Sequence, residues 1–350
     1  MEIINRLVRS ATAERGADEK GIVTDEMVEM YNTAAQGGAG LIISGHSYIH
    51  PLGRTNAAMT GIHCDETIPG LRKVVKAVRR NSEAKVFLQI SHAGRVTTEA
   101  VCGGIPAGPS AIPVRMSGEK ARELSSDEIE ELVHLYTQAV LRAQEADFNG
   151  VQLHCAHGYL ISQFLSGYTN KREDKWGQDK RLFLMRVIDE VKQAAPDFPL
   201  IVKINSQDFV PGGVTLEEFA ETCLLLERRG ILAVEVSGGI PEAGNKSTRK
   251  EINKPEKEGY FLEGSRALKS ACLKIPIIAV GGFRSLPVCE EALQHGDADL
   301  IAMCRPLITQ PDLPRKWQRG ENEVSRCISC NKCLTNSQGL THCVHWTEQE

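Results

Sequence analysis

The chain has 350 residues, of which 41% are hydrophobic and 25% are charged, and its formal net charge is −4. A slightly acidic chain without a basic run offers no electrostatic basis for binding nucleic acid or an anionic membrane surface, and no apolar run approaches the roughly 20 residues of a membrane span. Because the first residues also lack the charged-then-apolar pattern of a signal peptide, we expect a globular cytoplasmic protein.

Short β-branched runs alternate along the chain with amphipathic stretches. The runs predict eight strands, which are Leu7–Ala11, Gly40–Ser44, Lys85–Ser91, Gly150–His154, Leu200–Asn205, Ala233–Ser237, Ile277–Val280 and Leu300–Met303. The stretches predict helices over Thr24–Gln36, Ile68–Arg80, Ser126–Glu145, Lys180–Ala194, Leu216–Arg229, Gly264–Ala271 and Pro287–His295. Ser125 and Thr215 precede acidic first turns and are predicted to cap their helices.

Eight strands that alternate with helices indicate a parallel sheet, and a closed (β/α)8 TIM barrel is its natural arrangement. The rival is an open doubly wound sheet, which carries a Gly-x-Gly-x-x-Gly turn after its first strand. Residues 10–16 contain no such turn. We therefore predict an α/β protein with a (β/α)8 barrel over residues 1–320 and a short C-terminal Cys-rich extension over residues 321–350.

The most informative motif follows the fourth predicted strand. His154 and His157 lie three residues apart, and Tyr159 comes two residues later. Two imidazole N–H donors and a phenol at the carboxyl end of a barrel strand suit a reaction that generates an oxyanion and then needs a proton. Taken alone, the pattern is more typical of two metal ligands on one turn or of two histidines that cap a turn.

Polar residues at other strand ends describe a pocket for a flat phosphorylated heterocycle. Gly281 and Gly282 follow the seventh strand and Arg305 follows the eighth, where TIM barrels commonly bind phosphate. Gln89 could hydrogen-bond an amide edge, and Lys203 could stabilise negative charge on a ring. Each of these two also has an alternative interpretation, as a satisfied polar lining or as part of a buried ion pair.

At this point the chain resembles the Old Yellow Enzyme family of FMN-dependent NAD(P)H:flavin oxidoreductases, from Asn5 to about Trp317. The strongest match is His154-x-x-His157-Gly158-Tyr159-Leu160 with Gln163-Phe164-Leu165-Ser166, Thr169-Asn170 and Arg172-x-Asp174. The other matching pieces are Asn5-Arg6-Leu7-Val8-Arg9-Ser10, Gly40-Leu41-Ile42-Ile43, Gln89-Ile90-Ser91-His92-Ala93-Gly94-Arg95, Gly108-Pro109-Ser110-Ala111, Val280-Gly281-Gly282 and Arg305-Pro306-Leu307. The number of motifs and their shared order make a chance resemblance improbable.

The resemblance implies which residues contact the flavin ring of FMN. Ser10, Ala11 and Thr12 would line one side of the isoalloxazine, and Gln89 would contact its pyrimidine edge. Lys203 would lie near the flavin N1 and O2 atoms, where negative charge collects on reduction. Lys203 replaces the arginine that is more usual in the family.

The resemblance also implies a phosphate site and a catalytic mechanism. Gly281, Gly282 and Arg305 would hold the FMN phosphate, with Cys304 standing where the family commonly has glycine. Hydride would pass from NAD(P)H to the flavin and then to the β-carbon of an activated alkene, such as an enone or an enoate. His154 and His157 would donate to the carbonyl oxygen of this small-molecule substrate, and Tyr159 would protonate the adjacent carbon.

Cysteines are unevenly distributed along the chain. Of the eleven, Cys327, Cys330, Cys333 and Cys343 crowd the C-terminal extension with the spacing C-x2-C-x2-C-x9-C. Four thiolates at such a spacing can hold a 4Fe-4S cluster or a zinc ion, or stay unliganded. The segment resembles the one that follows the flavin barrel in trimethylamine dehydrogenase and 2,4-dienoyl-CoA reductase, where it ligates a 4Fe-4S cluster, although the last spacing is shorter here.

Three functions remain open from the sequence. The leading one is an FMN ene-reductase that takes hydride directly from NADH or NADPH. The second is a flavin and iron–sulfur electron-transfer subunit that receives electrons from a partner protein. The third is a zinc-dependent barrel hydrolase with His154 and His157 as ligands, for which no carboxylate ligand stands out at another strand end. Assembly into a homo-oligomer is compatible with each of them.

Overall fold

Eight parallel strands close into a barrel in the computed structural model, which describes residues 1–113, 118, 120–335 and 339–346. The strands are β1 Leu7–Arg9, β2 Leu41–Tyr48, β3 Lys85–Ser91, β4 Gly150–Cys155, β5 Leu200–Asn205, β6 Val234–Ser237, β7 Ile277–Val280 and β8 Leu300–Met303. Each strand pairs with the next along the chain, and β8 pairs back to β1 with Leu7 opposite Ile301. The predicted (β/α)8 barrel is confirmed.

Helices surround the barrel and continue into the C-terminal extension. They are α1 Asp25–Gln36, α2 Ile68–Asn81, α3 Glu99–Cys102, α4 Ser126–Glu145, α5 Leu160–Leu165, α6 Lys175–Gln178, α7 Leu182–Ala194, α8 Leu216–Arg228, α9 Leu262–Ser270, α10 Leu286–Gln294, α11 Arg305–Thr309, α12 Leu313–Gln318 and α13 Lys332–Thr335. Ser125 and Thr215 form capping boxes with Glu128 and Glu218, as predicted. Within the described residues, none of these helices is long and apolar enough to cross a membrane.

The barrel interior has an apolar lower layer and, closer to the carboxyl ends of the strands, a polar layer. Alternate side chains of a barrel strand point inward, and the lower layer consists of Val8, Leu41, Ile43, Phe87, Ile201, Ala233, Ile278 and Ala302. Two positions further along four of these strands stand Ser10, Gln89, Lys203 and Glu235, each nearly or fully buried. The period of two residues therefore puts inward-facing polar groups at the carboxyl end of the barrel, where the active sites of TIM barrels lie.

The second strand is longer than predicted, because Gly45 does not end it. β2 continues to Tyr48, with a shift of register against β3 between Ile43 and His46. The chain needs glycine at position 45 because a Cβ atom there would overlap the carboxylate of Glu14. The irregularity brings His46 opposite Gln89 at the carboxyl end of the barrel.

The Cys-rich extension packs against the barrel near its carboxyl end. The Thr341 backbone N–H donates to the Glu14 carbonyl oxygen at 2.6 Å, and the Thr341 hydroxyl donates to the Ala13 carbonyl oxygen at 2.7 Å. Arg15 Nη2 donates to the Leu334 carbonyl oxygen at 2.6 Å. These bonds fix the extension to the segment that follows β1.

Candidate active site

A cavity of about 480 Å³ opens at the carboxyl ends of the strands. It brings together every residue that the sequence predicted to bind cofactor or to act in catalysis, which are Ser10, Ala11, Thr12, Gln89, His154, His157, Tyr159, Lys203, Gly281, Gly282, Cys304 and Arg305. His46 and, from the extension, Leu334 line it as well. The roles of these residues stay predictions, but their convergence on one cavity is a property of the fold.

A chain of hydrogen bonds orients the Gln89 amide at one end of the cavity. Gln89 Nε2 donates to Gln152 Oε1 at 2.7 Å, and Gln152 Nε2 donates to Glu235 Oε2 at 2.8 Å. An ionised carboxylate only accepts hydrogen bonds, so Glu235 fixes the direction of both amides. The Gln89 carbonyl oxygen is thereby left as an acceptor, which suits the N–H of a heterocyclic imide.

Lys203 is part of a buried ion pair rather than an isolated cation. Its Nζ lies 3.0 Å from Glu235 Oε1 and donates to Ser10 Oγ at 2.8 Å, while the Ser10 hydroxyl donates to the same carboxylate oxygen at 2.6 Å. The ion-pair alternative for Lys203 is therefore what the structure shows. An ammonium group has three donors, so Lys203 retains one for a ligand in the cavity.

The opposite end of the cavity has the features of a phosphate cradle. Gly281 and Gly282 have φ angles of 139° and 80°, and a Cβ atom on Gly282 would lie 2.8 Å from the ring of Tyr260. Arg305 is 6% exposed, and its Nη1 donates to the Arg249 carbonyl oxygen at 2.8 Å. Bare backbone beside a guanidinium group is a favourable environment for an anion.

Cys304, which precedes Arg305, faces the segment after β1. Its Sγ lies 2.9 Å from the hydroxyl of Thr12, and that hydroxyl also lies 3.2 Å from the Ser10 carbonyl oxygen. This contact joins the two strand ends that meet where the barrel closes.

Two neutral histidines, His154 and His157, line the cavity at the end of β4. His154 Nδ1 accepts from the Ala156 N–H at 3.3 Å, so its Nε2 carries the proton of the neutral ring. Burial, reinforced by His157, His46 and Lys203, lowers the pKa of His154 well below its ordinary value. His154 therefore presents an N–H donor at neutral pH.

His157 is held by its backbone and by its ring. It has a φ angle of 61°, its N–H donates to Asn205 Oδ1 at 3.1 Å, and its Nε2 lies 2.8 Å from the Ser237 hydroxyl. Burial, with smaller contributions from Lys203 and His46, lowers its pKa to about 3. Because Ser237 occupies Nε2, the other ring nitrogen is the one left for a ligand.

Tyr159 and His46 complete the set of ring side chains. The Tyr159 ring centroid lies 4.8 Å from that of His154 and 5.2 Å from that of His46. Burial raises the pKa of Tyr159 to about 12, so the phenol keeps its proton over the physiological range. Burial, followed by Arg15 and Lys203, lowers the pKa of His46 to about 4.

The neutral histidines predict a loss of stability in mild acid. Below pH 6.5 these two histidines become protonated in the unfolded chain. In the folded protein, buried His46 and His157 stay neutral until the pH reaches their pKa values of about 4 and about 3. The free energy of unfolding should therefore fall with falling pH by about 1.4 kcal/mol per pH unit for each such histidine. Urea unfolding across this window measures the slope, and His46→Gln should make it shallower. A flat profile would contradict buried neutral rings.

The four tail cysteines line one small cavity beside Arg305. They are Cys327, Cys330, Cys333 and Cys343, and none of them is part of a disulfide. Burial and the neighbouring thiols raise the pKa of Cys333 to about 12. Among the residues that the structure describes, no group of three or more His, Cys, Asp or Glu side chains is arranged around a single ion. The four predicted ligands thus lie around one cavity.

The zinc hydrolase alternative finds no support in this geometry. The carboxylate of Glu235 lies inside the barrel, and its oxygens are occupied by Lys203, Ser10 and Gln152. His157 Nε2 is likewise occupied by Ser237. The side chains at this end of the barrel are therefore arranged for hydrogen bonding.

Comparison with known proteins identifies the family. The model of the NADH:flavin oxidoreductase / NADH oxidase family matches residues 1–323. The chain belongs to this family. Its members are FMN-dependent oxidoreductases that use NAD(P)H, and the predicted resemblance to the Old Yellow Enzyme family is confirmed.

Individual members of the NADH:flavin oxidoreductase family align over most of the chain. An NADH oxidase of Thermoanaerobacter brockii is 37% identical over 336 residues, covering 94% of this chain and 51% of its own. The structure of 2-naphthoyl-CoA reductase in complex with 2-naphthoyl-CoA has a TM-score of 0.87 at 30% identity, and the match covers 94% of this chain and 52% of that one. An old yellow enzyme homologue from Zymomonas mobilis has a TM-score of 0.76 at 26% identity, and the match covers 90% of this chain and 89% of that one. The chain thus spans about half the length of the first two.

The cavity fits the cofactor of the NADH:flavin oxidoreductase family. The glycine cradle and Arg305 suit the phosphate of FMN, and the Gln89 carbonyl oxygen suits an imide N–H of the ring. Lys203 would supply positive charge to a flavin that becomes anionic on reduction, although Glu235 at 3.0 Å offsets part of it.

Three lining or supporting residues were missed in the sequence, namely Gln152, Glu235 and His46. Gln152 lies two positions before His154, and Glu235 two positions before Ser237, so strand periodicity places each on an inward face. A charged residue in the apolar run Val234–Val236 was the available signal. His46 was missed because the strand was ended at Ser44.

Proposed function

We propose that the chain is an ene-reductase that reduces an activated alkene, such as an enone or an enoate, at the expense of NAD(P)H. The observation that carries the proposal is the convergence of the His154 N–H and the protonated Tyr159 phenol on one cavity, with ring centroids 4.8 Å apart. FMN, when bound, supplies the hydride transfer in both half-reactions. The protein supplies binding, orientation and the proton.

The ring side chains have two separate roles, in binding the substrate carbonyl oxygen and in supplying a proton. His154 donates its Nε2 proton to the substrate carbonyl oxygen, and His157 approaches the same oxygen with the ring nitrogen that Ser237 leaves unoccupied. Fixed donors aimed at an oxygen that gains negative charge stabilise the transition state. Tyr159 holds a proton at its Oη for the carbon next to the carbonyl, and its raised pKa keeps that proton in place.

The substrate class follows from the donors. A ketone, a carboxylic acid derivative or a thioester each offers the carbonyl oxygen that His154 and His157 require, and the relative that binds 2-naphthoyl-CoA makes unsaturated CoA thioesters a natural group to test. Anaerobic stopped-flow absorbance, with FMN-loaded protein first reduced by NADH or NADPH and then mixed with 2-cyclohexenone or crotonyl-CoA, tests the proposal. Rapid flavin reoxidation by either alkene supports it, and reoxidation by oxygen alone overturns it.

The histidine pair makes a prediction on ligand binding. Phenolates that mimic the developing enolate should bind to the oxidised flavoprotein through His154 and His157. The double variant His154→Ala/His157→Ala should weaken p-hydroxybenzaldehyde binding by roughly 10²–10⁴-fold, because each hydrogen bond to a charged oxygen is worth about 1.5–3 kcal/mol. Spectral titration measures it, and Tyr168→Phe outside the cavity serves as control. Unchanged affinity in the double variant would remove the oxyanion role from both histidines.

We also propose that the tail holds a 4Fe-4S cluster rather than zinc. The C-x2-C-x2-C-x9-C segment resembles one that ligates such a cluster after other flavin barrels, and its four thiols line one cavity. Such a cluster would permit electron delivery from a partner protein, which is the second candidate function. Iron and acid-labile sulfide analysis of protein purified without oxygen tests it, and zinc or no metal in that protein would overturn it.

A further inference from the structure

The Cys-rich extension reaches the phosphate end of the cofactor cavity through one side chain. Asn331 lies between Cys330 and Cys333, and its Oδ1 accepts a hydrogen bond from Arg305 Nη1 at 2.6 Å. Its Nδ2 donates to the Thr248 carbonyl oxygen at 2.9 Å. A residue of the cysteine loop thus binds the same guanidinium group that faces the cavity.

The other partners of Arg305 are weaker or do not depend on the tail. Nη1 donates to the Arg249 carbonyl oxygen at 2.8 Å, and Nη2 lies 3.5 Å from the Tyr260 hydroxyl. Asn331 therefore makes the shortest of these contacts, and Arg305 itself is only 6% exposed. Where the guanidinium group points is set in large part by where the cysteine loop holds the Asn331 amide.

The position of Asn331 depends in turn on the loop. Asn331 has a φ angle of 65° and Ser329 one of 54°, so two residues that flank Cys330 adopt the left-handed conformation. The Ser329 carbonyl oxygen accepts from the Glu251 N–H at 3.2 Å, and the Leu334 carbonyl oxygen accepts from Arg15. A cluster that fixes the thiols on both sides of Asn331 would hold this backbone conformation.

We propose that Asn331 is a positioning residue that couples occupancy of the tail cysteine site to FMN binding. With the four thiols ligated, Asn331 Oδ1 holds Arg305 toward the phosphate end of the cavity. With the thiols empty, the loop relaxes and Arg305 loses its closest partner. The inference rests on the proposed function, and by linkage FMN should strengthen retention of the cluster by the same factor.

A matched pair of variants tests the coupling. Glycine tolerates the left-handed conformation of both loop residues, but Asn331→Gly removes the acceptor for Arg305, whereas Ser329→Gly changes the same loop and leaves that contact in place. Quenching of FMN fluorescence should show binding about tenfold weaker in Asn331→Gly, the effect of one hydrogen bond to a charged group. Ser329→Gly should bind FMN as the parent does. Iron content, measured on samples without FMN, should be equal in all three proteins.

Removal of iron completes the test. Chelation should weaken FMN binding about tenfold in the parent and should have no further effect in Asn331→Gly, since the contact is already absent. Equal FMN affinity in Asn331→Gly and the parent would overturn the coupling, as would an equal loss in Ser329→Gly. A parent protein that binds neither iron nor FMN would instead overturn the proposed function, so the two failures are distinguishable.

Discussion

Replacement of Tyr159 with Phe is expected to slow alkene reduction by roughly 10²–10⁴-fold, the usual contribution of a positioned general acid. The variant loses only the hydroxyl, and its ring can keep the packing against His154 and His46 at centroid distances of 4.8 and 5.2 Å. Reduction of the flavin by NAD(P)H needs no proton from Tyr159, so that half-reaction should be nearly unchanged. Anaerobic stopped-flow absorbance separates the two.

The matched control for this prediction is Tyr168→Phe, the same chemical change on a partly buried tyrosine that does not line the cavity. Both half-reactions should proceed normally in that variant. If Tyr159→Phe slowed flavin reduction as much as alkene reduction, Tyr159 would not be the specific proton donor. It would then act in binding both hydride donor and acceptor.

Replacement of Lys203 with Met should lower the free energy of unfolding of the FMN-free protein by about 3–5 kcal/mol, because it leaves a buried carboxylate without its counter-charge. Glu235 is fully buried, and the ammonium group lies 3.0 Å from Oε1. Urea unfolding at neutral pH measures the loss.

The double variant Lys203→Met/Glu235→Gln provides the control. It removes both charges, and the new amide can still bond to Gln152 or Ser10, so most of the lost stability should return. A double variant as unstable as Lys203→Met would mean that the packing of the lysine side chain, and not its charge, stabilises the barrel.

The barrel could be predicted from the sequence because the alternation of apolar strands and amphipathic helices is a local property. The site was predicted largely from motifs, since His154, His157 and Tyr159 lie within six residues. The network of Gln152, Glu235 and Lys203 was not, because it joins three strands, β4, β5 and β6, whose contact depends on the register of the closed sheet. In the sequence, each of them is a single polar residue in an apolar run, and nothing indicates that the three are in contact.

His46 and Asn331 show two further limits of the sequence. Gly45 has the usual appearance of a strand end, and only its packing against Glu14 explains why β2 continues through it. The spacing of the cysteines predicted a common site, but the loop that carries them could not be docked on Arg305 from the sequence. That contact requires the chain to fold back from position 331 to the end of β8.

The most direct test of the account is anaerobic FMN titration of the purified protein, followed by absorbance spectroscopy and iron analysis. We predict one FMN per chain with a flavin spectrum perturbed by the cavity, a contribution from iron–sulfur absorbance, and bleaching of the flavin on addition of NADH or NADPH. Arg305→Ala should bind FMN far more weakly. A protein that stays colourless with excess FMN would contradict the assignment of the cavity.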